Sequence, residues 1–275
     1  MACATPCPLW YGADAMLDAA NVTYAKGDFR MSAQAMPRRR ASIAAGQARS
    51  TARETPVAIT SHAIVDTLLT SFTASKRNPS PYPHWFLKRC LPEAAADEIT
   101  TLPFPAPALG GVSGKREVHN ATRKYFDREN AAAFPVCKAF NDAFQDKRTT
   151  GTIEKIFGTK LGGTYLRVEY AQDIDGFWLE PHTDLGVKVF TMLLYLSKDP
   201  GHQDLGTDIY DTEKKPIGRS PFDPNGAMVF VPSNVTYHGF EARPIPGVRK
   251  SVIINYVTNE WRAREQLSFP DQPIG

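Results

Sequence analysis

From Gly162 onward the chain is written in short apolar runs, TYLRVEY, KVFTMLLYL, TDIYD, AMVFVPS and SVIINYV, divided by turn-rich clusters such as SKDPGHQDLG and FDPNG. Each run is short, rich in β-branched and aromatic residues, and bounded by Pro, Gly, Asn or Asp, so each reads as a strand. No helical stretch of roughly 10 to 15 residues alternates with them, which argues against a parallel βαβ sheet. Neither GxGxxG nor GKS/GKT occurs, so no nucleotide-binding loop is written into the chain. What remains is an antiparallel sandwich or barrel with helices packed outside it.

The helices come earlier. HAIVDTLLTSF (His62 to Phe72) carries apolar residues at helical spacing, and LPEAAADEITTL (Leu91 to Leu102) reads as a second helix with Pro92 in its first turn. A third helical region spans about Arg128 to Phe157, with interruptions expected near Pro135 and at Thr149-Thr150-Gly151. Residues 1–55 differ in texture: rich in Ala, Arg, Ser and Thr, without period, they read as a poorly ordered extension ahead of one domain over 56–275. Within that extension Met36 to Glu54 holds five arginines and no acidic residue before Glu54, the composition of an organelle presequence. A presequence normally begins at the first residue, so a disordered tail, or non-native sequence ahead of a start at Met31 or Met36, is the preferred reading.

Composition narrows the function classes. In 275 residues, 42% hydrophobic content with 11% aromatics is ample for a core, and the net charge is only +3. No basic cluster interleaved with aromatics suggests a nucleic-acid groove, and no apolar run approaches the roughly 20 residues that span a bilayer. The expectation is a soluble, cytoplasmic protein with a small-molecule substrate, no nucleic-acid partner and no membrane partner. Cys3, Cys7, Cys90 and Cys137 form no CxxC pair, in keeping with free thiols in a reducing compartment.

Chemistry concentrates around EPHTDLGVKVF (Glu180 to Phe190), where His182 and Asp184 stand two apart. In an extended segment both side chains point to one face, so they are either a polar pair at a strand start or two ligands of a metal. His238 lies in a turn rich in Pro, Asn and Gly directly after an apolar strand, a place from which metal ligands are often recruited. Two imidazoles and one carboxylate form a facial set that suits non-haem Fe(II) with a cosubstrate and O2, whereas a closed structural zinc site would want a fourth ligand. Eleven residues beyond His238, Arg249 and Ser251 share the parity of a predicted strand, so guanidinium and hydroxyl face the same way and can hold a carboxylate. Lys250 sits between them and would face inward only if the register were shifted by one.

Taken in order, His182-x-Asp184, FTMLLYLS, GAMVFVPS, His238 and Arg249-x-Ser251 resemble the Fe(II)/2-oxoglutarate-dependent oxygenases, within them the prolyl-4-hydroxylase-like branch. The resemblance covers about Tyr165 to Val257. It implies a mainly β fold, a double-stranded β-helix (jelly-roll) core over about 160–260 with an N-terminal helical buttress. It also implies that His182, Asp184 and His238 bind Fe(II), and that Arg249 grips the distal carboxylate of 2-oxoglutarate with support from Ser251. The reaction implied couples O2-dependent decarboxylation of 2-oxoglutarate, to succinate and CO2, with hydroxylation of a substrate C–H. Relatives that halogenate usually carry Ala or Gly where this chain has Asp184. Many prolyl hydroxylases use Lys as the anchor, and parity with Ser251 selects Arg249 here.

Two other readings fit the same residues: a jelly-roll metal-binding module without oxygenase activity, and a cupin-type metal-dependent hydrolase or isomerase, which would have no use for Arg249-x-Ser251. For substrate contacts the candidates are Tyr165 and Arg167, which share a polar face with Glu169, then Trp178 or Phe177 in the loop DIDGFWLE, and Asn255, which has the parity of Arg249. Each has an equally good structural reading as an ion pair, a packed aromatic or a strand cap. His84 and His202 have no partner at metal-ligand spacing and read as structural. NATRKYF (Asn120 to Phe126) is a further candidate from the helical half.

Overall fold

The computed structural model describes residues 59–108, 114 and 123–275. The expected extension over residues 1–55, with its arginine-rich segment, lies outside the described residues. Helix α1, Ser61–Ala74, starts where the Thr60 hydroxyl accepts a hydrogen bond from the Ala63 amide at 3.2 Å, and it buries Ile64, Val65, Leu68 and Phe72 as one stripe. Helix α2, Glu93–Thr100, follows Pro92. The third helical region divides into α3 (Arg128–Ala133), α4 (Pro135–Gln145) and α5 (Lys147–Phe157).

One break falls where the sequence puts it, because the residue before a proline avoids the helical region and Phe134 is extended (φ −125°, ψ 107°). The other is moved. The chain turns at Asp146, whose carboxylate accepts from the Arg148 amide at 2.8 Å and caps α5, and the helix runs straight through Thr149, Thr150 and Gly151. Thr149 and Thr150 are buried against the core, so packing overrides their modest helix propensity.

Eight strands form the barrel: β4 (Tyr165–Ile174), β5 (Leu179–His182), β6 (Lys188–Tyr195), β7 (Asp208–Tyr210), β8 (Pro216–Arg219), β9 (Ala227–Phe230), β10 (His238–Phe240) and β11 (Val248–Val257). They separate into two antiparallel sheets. One has the order β9-β6-β11-β4, extended on either side by β1 (Lys76–Asn78) with β2 (His84–Leu87) and by β3 (Lys124–Tyr125); the other has the order β5-β10-β7-β8. This is the jelly-roll arrangement, with four strands of each sheet facing each other across the interior. The first half is therefore not purely helical, since β1, β2 and β3 complete the larger sheet.

Alternation along the strands makes two compartments. On one face of the larger sheet Leu166, Val168, Tyr170, Phe190, Met192, Leu194, Val252, Ile254 and Tyr256 pack against α1, α4 and α5 in the main core. On the other, Leu193 and Tyr195 meet Phe177, Ile209 and Phe240 from the smaller-sheet side, inside the barrel. Between the sheets, around the opposite-parity residues of β4 and β11, the interior is polar. Among the described residues no helix is long and apolar enough to cross a membrane.

Candidate active site

The polar interior opens as a cavity of about 820 Å³, its mouth included, and the sheet register decides what lines it. Strand β10 pairs with β5 so that His238 lies directly opposite His182, with ring centroids 4.4 Å apart. Gly239 permits this pairing. A Cβ there would stand 2.7 Å from the Leu179 carbonyl oxygen and 3.1 Å from that of Glu180, so any larger residue would push β10 off β5. Asp184 follows two residues after His182, just past the end of β5.

Each imidazole is oriented by its own backbone. His182 Nδ1 donates to the Glu180 carbonyl at 2.9 Å and His238 Nδ1 to the Thr236 carbonyl at 3.0 Å. A carbonyl only accepts, so Nδ1 carries a proton on both rings and Nε2 is the nitrogen each ring can offer a metal. The ligand atoms of His182, Asp184 and His238 all lie within 4.8 Å of one another. Two imidazoles and a carboxylate of this spacing fit a first-row divalent ion with open positions. The Asp184 side chain is only 2% exposed; Lys188 Nζ lies 2.7 Å from its Oδ1, and the Thr191 hydroxyl donates to its Oδ2 at 2.7 Å.

Arg249 and Ser251 both line the cavity, and Lys250 points the other way, its ammonium on the Thr100 carbonyl at 2.8 Å. Arg249 is not a bare guanidinium. Its Nε donates to the Leu205 carbonyl at 2.7 Å and its Nη1 to Asp173 Oδ2 at 2.5 Å. Asp173 sits opposite Arg249 on β4 and is shared, since Arg123 Nη1 reaches its other oxygen at 2.7 Å. Arg123 continues to Glu169 at 3.4 Å, and Glu169 meets Arg167 at 2.8 Å. Burial alone would raise the Asp173 carboxyl pKa; the Arg123 and Arg249 charges overcome it and hold it below the usual range. Glu169 is likewise held low, burial being outweighed by Arg167, Arg123 and Lys188.

Other candidates lie elsewhere. Tyr165, Arg167, Trp178 and Asn255 are not among the residues lining this cavity. Arg167 is 2% exposed and donates to Gln266, Asn255 and Tyr125 at 2.9, 3.2 and 3.2 Å, so its hydrogen bonds knit the strands together. Asn255 in turn donates to Thr191 Oγ1 at 2.9 Å and supports it on the Asp184 side. Trp178 faces Gly114, whereas Phe177 from the same loop turns into the cavity. Tyr165 lies under the Arg264 guanidinium, 4.0 Å from ring centroid to charge. His84 and His202 are buried, with ring nitrogens on the Tyr82 and Pro246 carbonyls, and stand outside the cavity. Asp208 binds Arg219 and Arg243, also away from it.

Sequence reasoning gave no role to Lys188, Thr191, Asp173 or Tyr195, all of which line the cavity. Parity could have found Asp173 and Tyr195, each directly across the sheet from Arg249 or Ser251. Arg123 lies in NATRKYF; its partners, 46 and 50 residues away, carry no local signal.

No protein-family model matches the sequence, and no curated protein matches it. Solved structures do match. A prolyl 4-hydroxylase of Phytophthora capsici superposes with a TM-score of 0.51 at 10% identity, over 76% of this chain and 69% of that one. A Trichoplax adhaerens prolyl hydroxylase, solved in complex with a hypoxia-inducible-factor peptide fragment, gives 0.45 at 16% identity over 74% and 91%. A Pseudomonas putida prolyl-4-hydroxylase gives 0.45 at 15% identity over 72% and 99%. The chain thus has the fold seen in the first of these enzymes.

Proposed function

We propose that this chain is an Fe(II)- and 2-oxoglutarate-dependent dioxygenase of the prolyl-4-hydroxylase-like branch, hydroxylating an unactivated C–H bond of a small molecule with release of succinate and CO2. The observation that carries the reading is the meeting, in one cavity, of a two-histidine, one-carboxylate cluster with the Arg249 and Ser251 side chains. A metal-binding module would need only the cluster. A cupin-type hydrolase or isomerase would have no reason to aim a guanidinium and a hydroxyl at the same space.

His182, Asp184 and His238 would hold the ferrous ion, which supplies the O2-activating chemistry when bound. The chain does the rest by placement. Arg249 keeps Nη2 for an incoming carboxylate while Nε and Nη1 are tied to Leu205 and Asp173, so the group is fixed in orientation before any ligand arrives. The Ser251 hydroxyl, two residues along the same face, adds a donor. Charge supports the assignment: Arg123, Lys188 and Arg249 balance Glu169, Asp173 and Asp184 among the lining residues, so a divalent ion leaves a surplus that one dianionic cosubstrate neutralises. Phe177, Leu179 and Phe240 give the substrate an apolar wall that keeps water from the reacting C–H.

The test is anaerobic titration of 2-oxoglutarate into the Fe(II)-loaded protein. A visible metal-to-ligand charge-transfer band is expected, lost in His182→Ala and shifted to much higher cosubstrate concentration in Arg249→Ala. Iron binding with no band at any 2-oxoglutarate concentration would refute the oxygenase reading.

A further inference from the structure

Lys188 should not face the metal cluster. Thr191, Leu193 and Tyr195 of β6 line the cavity, and strict alternation would bring Val189 into that row and send Lys188 to the opposite side. The pairing of β6 with β11 slips just there: Phe190 pairs with Tyr256 but Lys188 with Val257, an irregularity that puts two residues of β6 against one of β11. Bulges of this kind re-aim a side chain. Here the result is a buried ammonium, 6% exposed, 2.7 Å from Asp184 Oδ1. The Thr191 hydroxyl is 2.7 Å from Oδ2, itself supported by Asn255 at 2.9 Å. The carboxylate is gripped on both oxygens from the strand that follows it.

We propose that Lys188 is a positioning residue that confines Asp184 to giving one oxygen to the metal. The inference rests on the metal reading above. A carboxylate free to rotate can chelate a divalent ion through both oxygens and occupy an extra position, one of those the cosubstrate and O2 need. With Oδ1 on a fixed ammonium and Oδ2 on a fixed hydroxyl, turning both oxygens to the ion would break a charge-assisted hydrogen bond inside a buried site. Simple charge compensation would need Lys188 nearby. It would not need the second grip from Thr191, nor a bulge spent on this aim.

The experiment counts metal-bound water by proton relaxation in the Mn(II)-loaded protein without cosubstrate. With three protein ligands and single-oxygen binding by Asp184, a six-coordinate ion keeps about three waters in the wild type and in Lys188→Arg. In Lys188→Met, close to lysine in length, the carboxylate closes on the metal and the count falls to about two. Thr191→Val releases the other oxygen, predicts the same fall, and serves if the lysine variant does not fold. Wild-type counts in both Lys188→Met and Thr191→Val would overturn the proposal while leaving the metal site standing. Failure of the wild type to bind Mn(II) would instead overturn the metal reading, and this inference with it.

Discussion

Asp173 holds Arg249 and Arg123 together behind the cavity, and Asp173→Asn puts a number on that hold. The carboxylate is 1% exposed and is shared by Arg249 at 2.5 Å and Arg123 at 2.7 Å. Asparagine keeps the volume and one acceptor but turns an NH2 group toward a guanidinium, leaving two buried positive charges with one fewer negative partner. Removing one partner of a buried pair costs about 3–5 kcal/mol, against a total stability of about 5–15 kcal/mol for a domain. For a domain of this size about 2–4 °C of Tm is lost per kcal/mol, so a drop of roughly 6–20 °C is expected in a thermal scan. The function should change selectively. His182, Asp184 and His238 are untouched, so Mn(II) affinity should stay within about twofold, while 2-oxoglutarate affinity falls because Arg249 has lost its second tether. A Tm within about 2 °C of the wild type, or loss of metal binding with cosubstrate binding intact, would refute the reasoning.

Three further outcomes follow from the same geometry. Gly239→Ala should weaken metal binding more than about tenfold, measured by Mn(II) titration, because the new Cβ meets the Leu179 and Glu180 carbonyls and separates His238 from His182. Arg249→Ala should raise the 2-oxoglutarate concentration needed for turnover steeply. Lys250→Ala should leave it unchanged and cost about 1 kcal/mol in urea unfolding, since its ammonium serves the Thr100 carbonyl on the outer side. Acid should destabilise the fold in a defined window: Asp173 and Glu169 have depressed pKa values, so their contribution is present above the unfolded carboxylate values of about 4 and lost as pH falls below them. In Asp173→Asn that acid-dependent loss of stability should be smaller.

The antiparallel sheets were legible because the long strands obey a period of two, whereas the jelly-roll topology was implied only by the family resemblance. Along β4, Leu166, Val168 and Tyr170 face the helices while Arg167, Glu169, Ala171 and Asp173 face inward, as alternation requires. The same rule separates Arg249 from Lys250 on β11. It fails on β5, β8 and β10, three or four residues each, where too few positions exist for a pattern to emerge and pairing is imposed by the neighbouring strand. It also misleads for Arg167 and Asn255: an inward side chain at the end of a barrel strand can finish in a saturated network instead of a cavity, as the bonds of Arg167 to Gln266 and Tyr125 show.

What resists sequence reading most is where the polar groups of the cavity find partners. His182, Asp184, His238 and Arg249 are unremarkable singly and become conspicuous through their joint order and spacing among strands and turns. Their supports come from places with no such mark: Arg123 from ahead of a two-residue strand, Asp173 from a position that reads as loop, and Lys188 from a strand whose local pairing breaks parity. These supports form one chain of contacts, from Arg249 through Asp173, Arg123, Glu169, Arg167, Asn255 and Thr191 to Asp184. A buried carboxylate or guanidinium is costly unless paired and hydrogen-bonded, so each member of the chain requires the next. The cosubstrate anchor and the metal ligand thereby stand at the two ends of one framework, and a substitution along it should disturb the end it adjoins more than an equally buried apolar change would.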